Sequence, residues 1–584
     1  MPPFLYVCGM RILLVAALFL GVLPSAFSQY YIHVDTVKPP FSYLSNAALL
    51  DSFTQSSRSI YPTLHQTDGL FFDPFRVFRP FGAYTQQPII QAQNAKFTAL
   101  PYLGFAFAFG TQAAQHIDFS YYQSFKKGWH AQLGFKAHAS NGYLRNNSWR
   151  NRVVLGMLTK TSQRFRTQIN FQFSSDYRQF SGGIINDSLP ALFALNLIPV
   201  RKDSCNSLVS VKRLEWKNEV NFLKDSSRFF GFLHRSSLQN NERSYQEYDT
   251  LSGLYPTIYF DSLSTQDRHE VTRMDNGIGL GYRNRKAQIQ TMLVGDYWRF
   301  RMNSFQRDSL EIGVKTVGSI QLAGLDLEAG FSANLLGAFR ENATWLSANK
   351  SFSDALKFNG EFRFANAAPD LIQRFYYGNT MQFTLSTPDL QSCFQARLGL
   401  RGRQFGLDYV LDLQGLFTDN VYQFANNAWT NQTAGSKQQV LHVNLRVAKE
   451  IMGWNFEPTL QYWWQKESFL PEIGIGTSVG YRGYVTKAKN LLFLTRLSYK
   501  FYYGYKTFGL NPLLSSLDFS SAGQASLPYH AMNFLVGFRV KTFQFYSSVD
   551  NLGVFMMDRI QPLYAQIPIP SLQIKLGISW EFWN

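Results

Sequence analysis

Few segments restrict a fold as tightly as the last eleven residues of this chain, Ile574-Lys-Leu-Gly-Ile-Ser-Trp-Glu-Phe-Trp-Asn584. Ile574, Leu576, Ile578, Trp580 and Phe582 share one parity, and Lys575, Gly577, Ser579 and Glu581 the other. Successive side chains of a strand point to opposite faces, so a strand here has one apolar and one polar wall. The nine residues from Ile574 to Phe582 suit one tilted crossing of a bilayer's hydrocarbon layer. Aromatic residues at the end belong at the headgroup boundary, where an apolar ring with a polar edge is well solvated. The expectation is all-β: a transmembrane antiparallel up-and-down β-barrel closed by its final strand. Trp580, Phe582 and Trp583 would then form an assembly signal for the barrel-assembly machinery, since the terminal strand docks during insertion.

The same period recurs along the chain. Phe165, Thr167, Ile169, Phe171 and Phe173 alternate with Arg164, Arg166, Gln168, Asn170 and Gln172. Phe534, Val536, Phe538 and Val540 alternate with Asn533, Gly537 and Arg539, with Leu535 the exception. Tight turns are expected at Lys126-Lys-Gly128, at Arg401-Gly-Arg403 and from Lys449 to Gly453. Longer polar stretches, 180–208, 239–272, 417–438 and 505–529, read as extracellular loops. About 16–20 strands are expected, a size at which a barrel leaves an aqueous channel.

A water-soluble sandwich would also bury one face and wet the other. The charges favour lipid, because Arg or Lys on a lipid face at mid-depth costs about 2–4 kcal/mol. Arg166, Arg397, Arg446, Arg482, Arg496, Lys500, Arg539 and Lys575 all take the polar parity, which makes them pore-lining candidates. They could bias passage toward anions. Alternatively they pair across strands with Asp408, Asp412, Glu361 and Glu581.

Arg11, the apolar run Ile12 to Leu23 and a small-x-small site predict a signal peptide over 1–28. Residues 29–95 alternate weakly and read as an N-terminal periplasmic or plug-like segment, or a first strand with its loop. The barrel is expected over 96–584. Aromatic and charged residues each make up 16%, whereas a soluble domain carries about 25% charged residues. The formal charge of +17 is assigned to lumen, loops and anionic lipid headgroups rather than to nucleic acid. Cys205 and Cys393 stand far apart in no C-x-x-C pattern, and whether they pair is open at this stage.

Tyr61-Pro-Thr-Leu-His-Gln-Thr-Asp68, Phe81-Gly-Ala-Tyr-Thr-Gln-Gln-Pro88, Tyr121-Tyr-Gln-Ser-Phe125, Asn141-Gly-Tyr143 and Phe180-Ser-Gly-Gly-Ile184 carry a family resemblance. With the turn-like Asp550-Asn-Leu-Gly553, the chain resembles the Putative porin family of Bacteroidetes-type Gram-negative bacteria. The segment 81–88 is poorer in glycine than the family's form. The resemblance implies an outer-membrane barrel and supplies no catalytic motif.

No Walker-type phosphate loop, H-E-x-x-H or EF-hand pattern occurs. His130 and His138 share the polar parity of one strand, but two histidines do not complete a metal site. An outer-membrane hydrolase would need Ser, His and Asn or Asp meeting at one rim; His442 and Asn444 share a parity and offer only part of that. The expected function is therefore a non-enzymatic outer-membrane porin for passive diffusion of small polar solutes. It would need no cofactor or metal, with outer-membrane lipid as its surroundings; a homo-oligomer is compatible. The alternatives are a gated or substrate-specific transporter and a surface adhesin or structural barrel.

Overall fold

The computed structural model describes residues 35–36, 96–97 and 100–583, apart from 224–227, 249–254, 256, 339, 354, 386–387, 426–427, 431–436, 467–470, 505–508, 512, 514–515, 519–527, 558–561 and 565–566. The expected leader and almost all of segment 29–95 lie outside the described residues. Asp35–Thr36 pairs in parallel with Lys96–Phe97, which brings the two ends of that segment together.

Twenty-two antiparallel strands close into one barrel. They are β1 (Tyr102–Gly110), β2 (Ala114–Phe125), β3 (Trp129–Ser140), β4 (Trp149–Thr161), β5 (Phe165–Gln179), β6 (Cys205–Asn221), β7 (Phe229–Glu247) and β8 (Thr265–Arg283). Next come β9 (Ala287–Met302), β10 (Phe305–Leu322), β11 (Leu325–Leu336), β12 (Asn342–Ser353), β13 (Leu356–Ala367), β14 (Gln391–Gln404) and β15 (Leu407–Asp419). The remainder are β16 (Gln438–Ile451), β17 (Trp454–Lys466), β18 (Ile473–Tyr484), β19 (Leu491–Tyr503), β20 (Tyr529–Val540), β21 (Phe543–Asp550) and β22 (Gln573–Trp583). Each pairs with its neighbours in sequence, and β22 returns to β1 in register from Tyr102 opposite Trp583 to Gly110 opposite Lys575. Closure satisfies backbone groups that hydrocarbon could not, because no strand edge is left.

The outward face carries the apolar parity. On β5 Phe165, Ile169 and Phe173 are exposed, and on β22 Ile574, Trp580 and Phe582. The side chain of Trp583 is not described. Leu535, the exception to its strand's alternation, faces inward and packs on Ala108 and Tyr546. Short turns gather at the end where β1 starts and β22 stops, and long connections at the other.

Twenty-two strands exceed the 16–20 expected from sequence. Gln239 to Thr272 is not one loop: β7 runs to Glu247 and β8 starts at Thr265. Their loop-side halves show Asn240, Glu242, Arg268 and Glu270 outward, beyond the apolar belt. With both faces polar, such strands lose the apolar–polar alternation that reveals a strand in sequence. Arg401-Gly-Arg403 is strand rather than turn; the chain reverses at Phe405 and Gly406, with φ of +53° and +73°. Such two-residue turns need positive φ, which Gly supplies without strain.

Candidate functional site

The inward parity builds the wall of the bore. All eight basic residues singled out from sequence take it, alternating with outward Ile169, Leu398, Leu445, Ile475, Leu497, Phe538 and Ile574. Arg397 pairs with Asp412 across β14 and β15 at 3.3 Å. Arg446 and Arg496 both reach Glu457, at 3.3 and 3.8 Å. Lys575, 1% exposed, meets Asp550 at 2.5 Å. Arg539 donates to the Lys541 carbonyl at 2.9 Å. Arg166 and Arg482 are half-buried and Lys500 is exposed. The pairs formed are cross-strand charge ladders rather than a ring of one sign.

The densest charge cluster was not singled out from the sequence. Glu215 on β6 is approached by Lys217 at 3.1 Å, Arg213 at 3.6 Å and, from β7, Arg235 at 3.0 Å. Asn170 on β5 donates to the same carboxylate at 3.0 Å. Three cations around one anion leave this part of the wall positive. Arg213, Glu215 and Lys217 stand at alternate positions, and that spacing was the signal available.

At the loop end the bore is filled. A cylinder of this size is too wide for wall side chains to fill, and the long connections enter it instead. Between β13 and β14 lie a one-turn helix, α1 (Leu371–Arg374), and a hairpin of Phe375–Tyr377 with Gln382–Thr384. Asp370 and Gln373 cap α1 reciprocally. Phe375 packs against Phe300 of β9 with ring centroids 6.0 Å apart. Burial lowers the Arg374 guanidinium to about 10, opposed by Glu311 and Glu341, and its planar group lies over the Trp298 ring.

Polar anchors hold this arrangement. Asp267 of β8 accepts from the Tyr376 hydroxyl and the Asn379 amide, both at 3.0 Å. The Asn379 side chain accepts from the amides of Phe260 and Asp261 and donates to the carbonyls of Asp261 and Ser264. It thereby ties the connection after β13 to the one after β7. Arg243, on β7, donates to the Leu513 carbonyl at 2.7 Å. Around these anchors, Phe180, Ile198, Val421, Leu513, Ile567 and Ile569 come from further connections. They join Phe300, Met302 and Trp463 of the wall in one apolar cluster.

Other candidates disperse. His138 meets His116 at 2.9 Å, while His130 lies 3.0 Å from the Ser124 hydroxyl. His442 is stacked on Trp463, with centroids 4.7 Å apart. Gly476-Thr-Ser-Val-Gly480 spells the G-x-S-x-G of serine hydrolases. It lies along β18 rather than at a strand-to-helix turn, and Ser478 accepts from Arg496 at 2.6 Å. Cys205 and Cys393 are buried and are not joined by a disulfide.

A family model described as Putative porin matches residues 32–584. No curated protein matches the sequence. Among solved structures, the siderophore receptor PirA from Acinetobacter baumannii is similar, with a TM-score of 0.58 at 10% identity over 83% of this chain and 80% of that one. A mutant of the ferric enterobactin receptor PfeA from Pseudomonas aeruginosa gives 0.58 at 12%, over 83% and 81%. The copper transporter OprC gives 0.58 at 9%, over 82% and 80%. At such identities the likeness shows the barrel fold.

Proposed function

This chain belongs to the Putative porin family, and from that membership we propose an outer-membrane transporter that is closed at the loop end and admits selected polar solutes. The observation that carries this reading is the apolar cluster that fills the loop end of the bore. A freely diffusing polar solute would have to cross it. The permanently open, passive porin expected from sequence is therefore the second reading. Fold likeness to proteins titled as siderophore receptors and a copper transporter supports the gated one. The turn-side wall, with Arg397, Arg446, Arg496 and Glu457, suits hydrated, charged cargo. We assign transport without covalent chemistry. A solute opens the loops only to the extent that it binds the open arrangement better than the closed one.

Conductance across planar bilayers tests the proposal. The purified protein is expected to stay silent or to flicker, and a variant lacking residues 371–385 to show steady ohmic steps. Large, steady ohmic currents from the unmodified protein would sink the gated reading and restore the passive one.

A further inference from the structure

The outer surface carries a feature that transport does not use. On β4 the outward parity runs Leu158, Gly156, Val154, Arg152, Arg150; on β5 it runs Phe165, Ile169, Phe173, Ser175, Tyr177, Gln179. Val154 stands opposite Phe173, Arg152 opposite Ser175, and Arg150 opposite Tyr177. The apolar belt therefore ends at Val154 and Phe173, and the two arginines occupy the next two outward positions toward the loop end. Lys212 of β6, opposite Phe173, is the outward neighbour on the other side.

Ser148, Arg150, Arg152, Ser175, Tyr177, Gln179 and Asn141 line a cleft of about 470 Å³ here. Among the described residues no carboxylate lines it. Elsewhere above the belt two outward arginines have acidic partners, Arg268 meeting Glu242 at 2.7 Å and Arg299 meeting Asp308 at 3.2 Å, while Arg301 donates to the Gln306 side chain at 3.0 Å. Arg150 and Arg152 form no ion pair among the described residues. Alternate residues of a strand lie roughly 6.5–7 Å apart, so two guanidiniums can bracket one phosphate, each presenting a fork of donors.

We propose that this cleft binds the phosphorylated headgroup of an outer-leaflet lipid, its phosphate held by Arg150 and Arg152 above the belt residues Val154 and Phe173. Tyr177, Gln179 and Asn141 offer hydrogen bonds to the headgroup's hydroxyls. The acyl chains lie on Val154, Leu158, Ile169 and Phe173. A lipid fits better than a free anion because the cationic cleft continues without a break into an apolar surface.

Native mass spectrometry of the full protein in detergent tests this, with diphosphorylated lipid A, its phosphate-free analogue and inorganic phosphate as probes. Unmodified protein should retain the phosphorylated lipid and not the analogue, and millimolar inorganic phosphate should displace little of it. Loss of two charge-assisted contacts in the Arg150→Gln/Arg152→Gln variant should lower retention by on the order of tenfold or more. An Arg299→Gln/Arg301→Gln control should retain the lipid. Retention regardless of the phosphate, or undiminished in the double variant, overturns the proposal. Full displacement by inorganic phosphate reassigns the cleft to a free anion and overturns the lipid assignment. The comparison of the two lipids on unmodified protein decides even if a variant fails to fold.

Discussion

The two ends of the bore are built from one kind of strand and behave as two materials. At the loop end Phe300 and Trp463 are 0% and 2% exposed, and even the charged groups Lys575, Asp550 and Arg243 are buried. Toward the turns, Arg446 leaves about half of its side chain exposed, and Arg403 more. A buried charge that loses its partner costs far more than an exposed one. The difference teaches that the loop end is held like a protein interior, while the turn-side wall is free to exchange partners with water and solute.

Lys575→Ala should show the contrast most strongly. It strands Asp550 in the interior, for a loss of about 3–5 kcal/mol, seen as a lower melting temperature of heat-modifiable protein. Unchanged melting would mean that water already reaches the pair. Phe300→Ala removes a ring from the centre of the loop-end cluster and should cost about 3–5 kcal/mol by the cavity it leaves. Here the telling measurement combines melting with bilayer recordings, which should show new current. Stability falling without any current would separate the cluster from the gate.

Asn379→Ala breaks the tie between two connections and should lower local stability by about 1–3 kcal/mol. Protease cleavage within 368–390 should accelerate while the barrel's own melting hardly moves. A resistant loop would show that Asp267 and Tyr376 suffice. Smallest of all, Arg446→Gln should change stability by about 1 kcal/mol or less. Its effect belongs in the ion selectivity of the variant lacking 371–385, which should shift toward cations. No shift would place Arg446 off the conduction path.

Much of the barrel is legible in the sequence because parity alone assigns a residue to lipid or bore. Lys575, Arg496 and Arg397 each alternate with an exposed apolar neighbour, Ile574, Leu497 and Leu398. Parity faltered over 205–353, where strands extend past the belt and the outward residues turn polar. Asn240, Glu242 and Arg268 look like loop for that reason. The outward Arg150 and Arg152 carry no local signal either, since strand parity does not by itself tell a basic residue at the lipid headgroups from one in the bore. The closure at the loop end left no local signal, because Ile198, Tyr376, Leu513 and Ile567 come from four separate connections spread from residue 198 to residue 567.

What the chain's own order of residues determined is the direction each wall side chain looks, because a strand repeats every two residues and a charge in hydrocarbon is too costly. How many strands close the ring, and that the connections fold back to fill one end, were decided only in three dimensions. A bore too wide for its wall leaves apolar loop residues no better place to leave water than against one another inside it.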